Sequence, residues 1–144
     1  MPLKMRKAEK SDIQMLCSLM EDMDYPITPE HMENRLQFVE KSEFDSLFVC
    51  EEDGKILGLI GFRIRENLEE VSRFGEISAL VVNRNGRLKG IGHFMMTYAE
   101  KLAKELNCKG TWLVSGFPRE EEAHKFYKSL GYDITGYRFV KFLE

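Results

Sequence analysis

The chain has 144 residues, 43% of them hydrophobic and 31% charged, with a formal net charge of −3. That length suits one domain spanning 1–144 with its own core, and the mild acidity argues against general affinity for nucleic acid. No apolar run approaches the ~20 residues that a membrane-spanning helix needs. Residues 1–7 lack the apolar stretch of a signal peptide. Cys17, Cys50 and Cys108 are odd in number and far apart, which predicts neither a disulfide framework nor a metal site and fits a reducing, cytoplasmic setting.

Residues 3–8 alternate apolar and basic side chains and read as a short strand. Ser11 and Gln14 have capping-box spacing before a helix whose stripe is Ile13, Leu16, Cys17, Met20 and Met23. Thr28-Pro29-Glu30 starts a second helix, with Met32, Leu36 and Val39 on one face, ending near Lys41. Residues 44–51 and 55–64 are strand-like and meet at Asp53-Gly54, a hairpin signal. Residues 74–82 form a third long strand, apolar toward its end and so central. From Gly90 the positions Ile91, Phe94, Met95, Tyr98, Ala99, Leu102, Ala103 and Leu106 follow helical spacing closely. A short strand over 111–115 and a helix over 120–130 follow, the latter with Ala123, Phe126, Tyr127 and Leu130 inward and Gly131 as its stop. Residues 132–143 are expected to close the sheet with one or two strands turning near Gly136. The order β-α-α-β-β-β-α-β-α-β(β) describes an α/β fold, a mixed sheet with helices on its faces.

The turn between the third long strand and the third helix carries the chemistry. Arg84, Arg87 and Lys89, with His93 in the first helical turn, place positive charge where a helix dipole favours acidic side chains. Free amides and the dipole's positive end converge at such a point, so an anion there makes physical sense. The helix opening with Glu120-Glu121-Glu122 has the ordinary complement instead. A Walker loop requires Lys-Ser/Thr after its last glycine, and Gly92 is followed by His93-Phe94; a dinucleotide fingerprint requires glycine at position 95, which is Met95. Arg-x-x-Gly-x-Gly over residues 87–92 remains, read either as a pyrophosphate cradle or as a tight helix start without a ligand.

That stretch resembles the acyl-CoA-binding motif of the GNAT superfamily of N-acetyltransferases, Arg/Gln-x-x-Gly-x-Gly/Ala after a central strand. Ala123, Tyr127, Gly131 and Tyr132 resemble the family's C-terminal signature, Ala-x-x-x-Tyr-x-x-x-Gly-Phe/Tyr. The element order is also that of the GNAT fold across essentially the whole chain.

The resemblance implies that the amides of Arg87, Leu88, Lys89, Gly90, Ile91 and Gly92 cradle the pyrophosphate of acetyl-CoA. It implies that Leu80, Val81 and Val82 pair with the pantetheine arm like a neighbouring strand, which requires residues 111–115 to splay away. Tyr127 matches the tyrosine that protonates the departing thiolate in many members; the alternative is a core tyrosine on the helix's apolar face. Glu76 lies where some members place a general base, and the alternative is a strand glutamate paired with Arg63 or Arg73. His93 and His124 read as a solvated cap residue and a surface position, with a place beside the acceptor open to His124. Glu120 departs from the family pattern, which has an asparagine bonding the pantetheine there.

Acceptor sites in this fold usually form between the N-terminal helices and the C-terminal strands. Asp22, Asp24 and Tyr25 would suit a cationic amine. The resulting expectation is an acetyl-CoA-dependent N-acetyltransferase acting by direct attack on a small cationic or aminoglycoside-like amine, without metal, nucleic-acid or membrane partners. Rival readings are a peptide or protein amine acceptor, a non-catalytic acyl-CoA sensor or interaction module, and a phosphate-binding domain without CoA. Edge strands near the C-terminus would permit a homodimer.

Overall fold

The computed structural model describes residues 2–84, 90–116 and 120–143. A five-stranded sheet in the order β1-β2-β3-β4-β5 comprises β1 (Lys4–Lys7), β2 (Asp45–Glu52), β3 (Lys55–Asn67), β4 (Ser72–Val82) and β5 (Gly110–Leu113). The first four strands pair antiparallel and β5 pairs parallel to β4, so the sheet is mixed, as expected. The helices are α1 (Ile13–Asp22), α2 (Pro29–Lys41), α3 (Ile91–Glu105) and α4 (Glu120–Ser129).

Two apolar layers sandwich the sheet. Leu16 and Leu19 of α1 and Met32 and Leu36 of α2 pack on Val49, Leu59 and Val81. On the other face Ile91, Met95, Met96, Ala99 and Ala103 of α3 pack on Phe48, Ile60, Phe62 and Ile77, with Phe126, Tyr127 and Leu130 of α4 at the margin. Of the stripes read from the sequence, Leu16, Met32, Leu36, Ile91, Met95, Ala99 and Ala103 are buried, whereas Phe94 is exposed, the α4 stripe is half-buried, and Met96, outside the stripe, is fully buried. The Asp53-Gly54 hairpin also forms, both residues at positive φ (52° and 79°), as its turn type demands.

The first helix starts differently from the Ser11–Gln14 reading. A 3-10 turn, Lys10–Asp12, precedes α1, and the Asp12 carboxylate reaches back to accept from the Glu9 amide at 2.7 Å. Arg6 of β1 holds that carboxylate by two bonds, Nη1 to Oδ2 at 2.8 Å and Nη2 to Oδ1 at 2.9 Å. A bidentate guanidinium orients a buried carboxylate more firmly than a hydroxyl cap does.

Two further departures matter for function. The ladder between β3 and β4 shifts after Gly61↔Ala79 to Phe62↔Ile77, leaving Ser78 as an extra residue on β4. A bulge reverses the alternation of side chains, so Glu76, Ala79 and Val81 all face the α1/α2 layer. The second departure is at the C-terminus. Residues 132–143 form no strand, and residues 133–143 are exposed throughout. Among the described residues the expected closing strands therefore have no ladder partner.

Candidate active site

The sheet opens between β4 and β5. Their ladder covers only Phe74↔Gly110 to Ile77↔Leu113, whereas β4 runs on to Val82. From Ser78 to Val82 one edge of β4 is paired with β3, as in Leu80↔Ile60 and Val82↔Gly58, and no described strand pairs the other. Leu80, Val81 and Val82 thus lie along a free strand edge that leads to the start of α3. Val81 is buried against the α1/α2 layer, and Leu80 and Val82 are partly buried on the α3 side.

Gly90 takes the left-handed conformation at the α3 N-terminus, φ 77°, which glycine adopts without strain. Its carbonyl accepts the first helical bond, from Phe94 N–H at 3.0 Å. The amides of Ile91, Gly92 and His93 precede that bond and have no acceptor within the helix. Ile91 is buried and His93 exposed. A Cβ on Gly92 would stand 3.2 Å from Phe126 Cζ and 3.7 Å from Val82 Cγ2. This glycine therefore lets the α3 start sit close against α4 and the end of β4, joining the two sequence motifs in space. Arg87, Leu88 and Lys89 lie outside the described residues.

Glu76 sits in a row across the sheet, Asp45↔Arg63↔Glu76↔Trp112. Its Oε1 is 3.9 Å from Arg63 Nη1 and 3.7 Å from Arg65 Nε, and this buried oxygen accepts no hydrogen bond. Arg63 gives its short contact to Asp45 instead, Nε to Oδ1 at 2.7 Å. Burial acts to raise the Asp45 carboxyl, but bonds from Arg63 and Ser42 outweigh it and hold the group below the usual range. Arg73, the other partner considered for Glu76, is bonded to Glu66 and to the Leu106 carbonyl. Glu76 is thus flanked by charge yet unoccupied at one oxygen, an arrangement open to a proton donor.

Tyr127 is half-buried on α4, its ring 5.1 Å from that of Phe126 and 6.1 Å from that of Tyr132. Helix α4 ends in a Schellman turn: Tyr132 N–H donates to Tyr127 O at 3.1 Å and Gly131 takes φ 92°. The Tyr132 hydroxyl donates to Glu100 Oε2 at 2.9 Å and lies 2.6 Å from Thr111 Oγ1, tying α4 to α3 and β5. Burial raises the Tyr132 phenol to about 12. Glu76 and Tyr127 come from opposite layers of the fold.

Asp22 and Asp24 border an open cleft of about 540 Å³ lined by Glu21, Asp22, Asp24, Asn83 and Arg84. Arg84 borders the same cleft, its amide 3.4 Å from Asp22 Oδ2 and its guanidinium 3.4 Å from Asp22 O. Asn83 anchors the loop by donating its N–H to Leu57 O at 2.8 Å, while its Oδ1 is buried without a hydrogen bond. Asn83 had no signal in the sequence. Asp24 has a backbone task as well. At φ 62° it closes α1 with a Schellman turn, Tyr25 N–H donating to Met20 O at 2.9 Å. Tyr25 is exposed, and His124 is distant in the fold, on α4, with Nδ1 4.0 Å from Glu120 Oε1. The cleft thus gathers Asp22 and Asp24 but not His124. Burial raises the thiols of Cys17, Cys50 and Cys108, Cys50 to about 11, which disfavours reactive thiolates.

Residues 13–132 match the acetyltransferase (GNAT) family. The chain belongs to the GNAT acetyltransferase family. The aminoalkylphosphonate N-acetyltransferase of Salmonella typhimurium (strain LT2) is 32% identical over 91 residues, covering 63% of this chain. That match spans 58% of the relative's own length. A GNAT family acetyltransferase of Staphylococcus aureus is 28% identical with a TM-score of 0.84, over 99% of this chain and all of that one. The aminoglycoside N-acetyltransferase AAC(6')-Iy, solved with a bisubstrate analogue joining CoA to acetylneamine, shares the fold at a TM-score of 0.83 and 14% identity, over 100% of this chain and 99% of that one. No helix among the described residues is long and apolar enough to cross a membrane.

Proposed function

We propose that this chain transfers an acetyl group from acetyl-CoA to a primary amine of a small cationic metabolite or aminoglycoside-like compound. The observation that carries the proposal is the β4 edge from Ser78 to Val82, left without a described partner and ending at the amides of the α3 start. The edge supplies a hydrogen-bonding track for the amide groups of pantetheine, and the helix start supplies donors for its pyrophosphate. The cradle is taken to comprise Arg87, Leu88, Lys89, Gly90, Ile91 and Gly92.

The amine attacks the thioester carbonyl directly, forming the C–N bond. A backbone amide near Val82 stabilises the oxyanion. Collapse breaks the C–S bond, the nitrogen releases its second proton to solvent to leave a neutral amide, and Tyr127 gives its phenolic proton to the departing thiolate. An ammonium has no lone pair, so the acceptor first loses a proton to Glu76, directly or through a water. Asp22 and Asp24 lie in a cleft with three carboxylates against one guanidinium, an environment that attracts a cation. The named relatives support amines as the acceptor class, since one is an aminoalkylphosphonate and another an aminoglycoside N-acetyltransferase. The donor is tested by thermal shift: acetyl-CoA and CoA should raise the transition temperature and ATP should not. Equal stabilisation by ATP would reassign the site to phosphate groups in general.

A further inference from the structure

The bulge in β4 puts a hydroxyl in the middle of an otherwise apolar stretch of the sheet. Ser78 is its extra residue, standing between Ile77 of the α3 layer and Ala79 of the α1/α2 layer. Its hydroxyl lies on the Ala79 side. A Cβ built on Gly61, the ladder partner of Ala79, would stand 2.5 Å from Ser78 Oγ and 3.5 Å from Ala79 Cβ. Ile77 is buried, whereas Ser78 is exposed. The change coincides with the end of the β4–β5 ladder at Ile77↔Leu113, so Ser78 is the first residue of the free edge.

Gly61 is the other half of this arrangement. It lies within β3, and its φ is outside the left-handed region, so the backbone there does not call for glycine. A glycine inside a strand weakens it and often marks a close approach. Here the approaching atom is Ser78 Oγ, and any side chain at position 61 would displace it. The sheet thus gives up a side chain at its centre to seat one hydroxyl.

Among the described residues that hydroxyl has no hydrogen-bond partner. Glu76 lies two residues earlier, ~7 Å along the strand, and faces the same layer with Oε1 unbonded. We infer that Ser78 is a catalytic residue for the acceptor: its Oγ accepts a hydrogen bond from the amine N–H and holds the nitrogen between Glu76 and the thioester. Fixing one N–H restricts where the lone pair points once Glu76 has taken a proton. A neutral hydroxyl suits the task, because a second carboxylate would favour the ammonium and oppose its deprotonation. The inference rests on the acetyl-transfer reading and deepens it.

The test is amine-dependent thiol release by Ser78→Ala, Gly61→Ala and the double variant, with acetyl-CoA binding by calorimetry. The Gly61→Ala methyl has only to turn a flexible hydroxyl, since its next contacts, Ala79 N at 3.4 Å and Ala79 Cβ at 3.5 Å, leave it room. Each single variant should lose ~10-fold or more in kcat/KM for the amine, with acetyl-CoA affinity unchanged. The double variant should be no slower than Ser78→Ala, because both changes remove the same contact. Wild-type rates in either single variant would overturn the inference, as would losses that multiply in the double variant. A matching loss of acetyl-CoA affinity would also overturn it, by moving Ser78 to the donor side. Failure of the acetyl-transfer reading looks different: the wild-type chain itself would release no thiol with any amine, and the inference would fall with that reading.

Discussion

Replacing Glu76 with glutamine separates structural from catalytic roles, because the two differ in size. Oε1 accepts no hydrogen bond, so the substitution breaks none there. What is lost is Coulomb attraction to Arg65 at 3.7 Å and Arg63 at 3.9 Å. At an effective dielectric of about 20, each full pair would be worth about 4 kcal/mol. The guanidinium side chains are 38% and 46% exposed, which reduces the real contribution of each to ~1 kcal/mol or less. Arg63 also keeps Asp45 at 2.7 Å. The expected stability loss is about 1 kcal/mol, a fall of roughly 3–5 °C in transition temperature. Loss of a general base costs ~100-fold or more in rate, about 2.7 kcal/mol of activation free energy. The assay is thiol release under steady state across pH, paired with thermal denaturation. Glu76→Gln should remain folded, lose at least ~100-fold in kcat/KM, and flatten the limb that reports base deprotonation. A pH–rate profile overlaying wild type would refute the base assignment and leave Glu76 a member of the Asp45–Arg63 charge row.

Tyr127→Phe should lower kcat at least ~10-fold with acetyl-CoA affinity near wild type by calorimetry; equal rates at all pH values would make Tyr127 a packing residue. Gly92→Val adds bulk where a Cβ already stands 3.2 Å from Phe126, at a cost of about 1–3 kcal/mol; calorimetry should show weaker acetyl-CoA binding, and unchanged affinity would detach the helix start from the cofactor. Asp12→Ala leaves Arg6 with Glu51 alone and should cost ~2–3 kcal/mol in chemical denaturation. The Arg6 bonds and the Glu9 amide hold the Asp12 carboxyl below its ordinary 3.8, so its contribution is present above that pH and is lost as pH falls through the lower folded value. Wild type and variant should therefore converge in strong acid.

Periodic segments were legible because burial imposes the period. The stripe from Ile91 to Leu106 could fold only one way, and Asp53-Gly54 could only turn. The site was less legible. The Ser78 bulge is set by tertiary pairing across Gly61 and Phe62 and leaves no local signature, yet it decides that Glu76 shares a face with Ala79 and Val81. Asp24 read as charge for a ligand, whereas its φ of 62° shows it also closes α1. Arg84 read as positive charge near the helix start, and it also meets Asp22, a contact across 62 residues that composition cannot reveal. The segment 132–143 has strand-forming side chains but finds no ladder partner among the described residues, because β propensity reports side chains and not the location of the edge they join.

The most direct test of the account is release of free CoA thiol from acetyl-CoA by the purified chain across a panel of amines. The panel would include aminoglycosides, polyamines, aminoalkylphosphonates, a lysine-bearing peptide and neutral amines. The account predicts amine-dependent release, with small polycationic amines giving the highest kcat/KM and loss of that preference when Asp22 and Asp24 are both changed to asparagine. Thiol release independent of any amine, or acetyl-CoA binding without turnover across the whole panel, would contradict it.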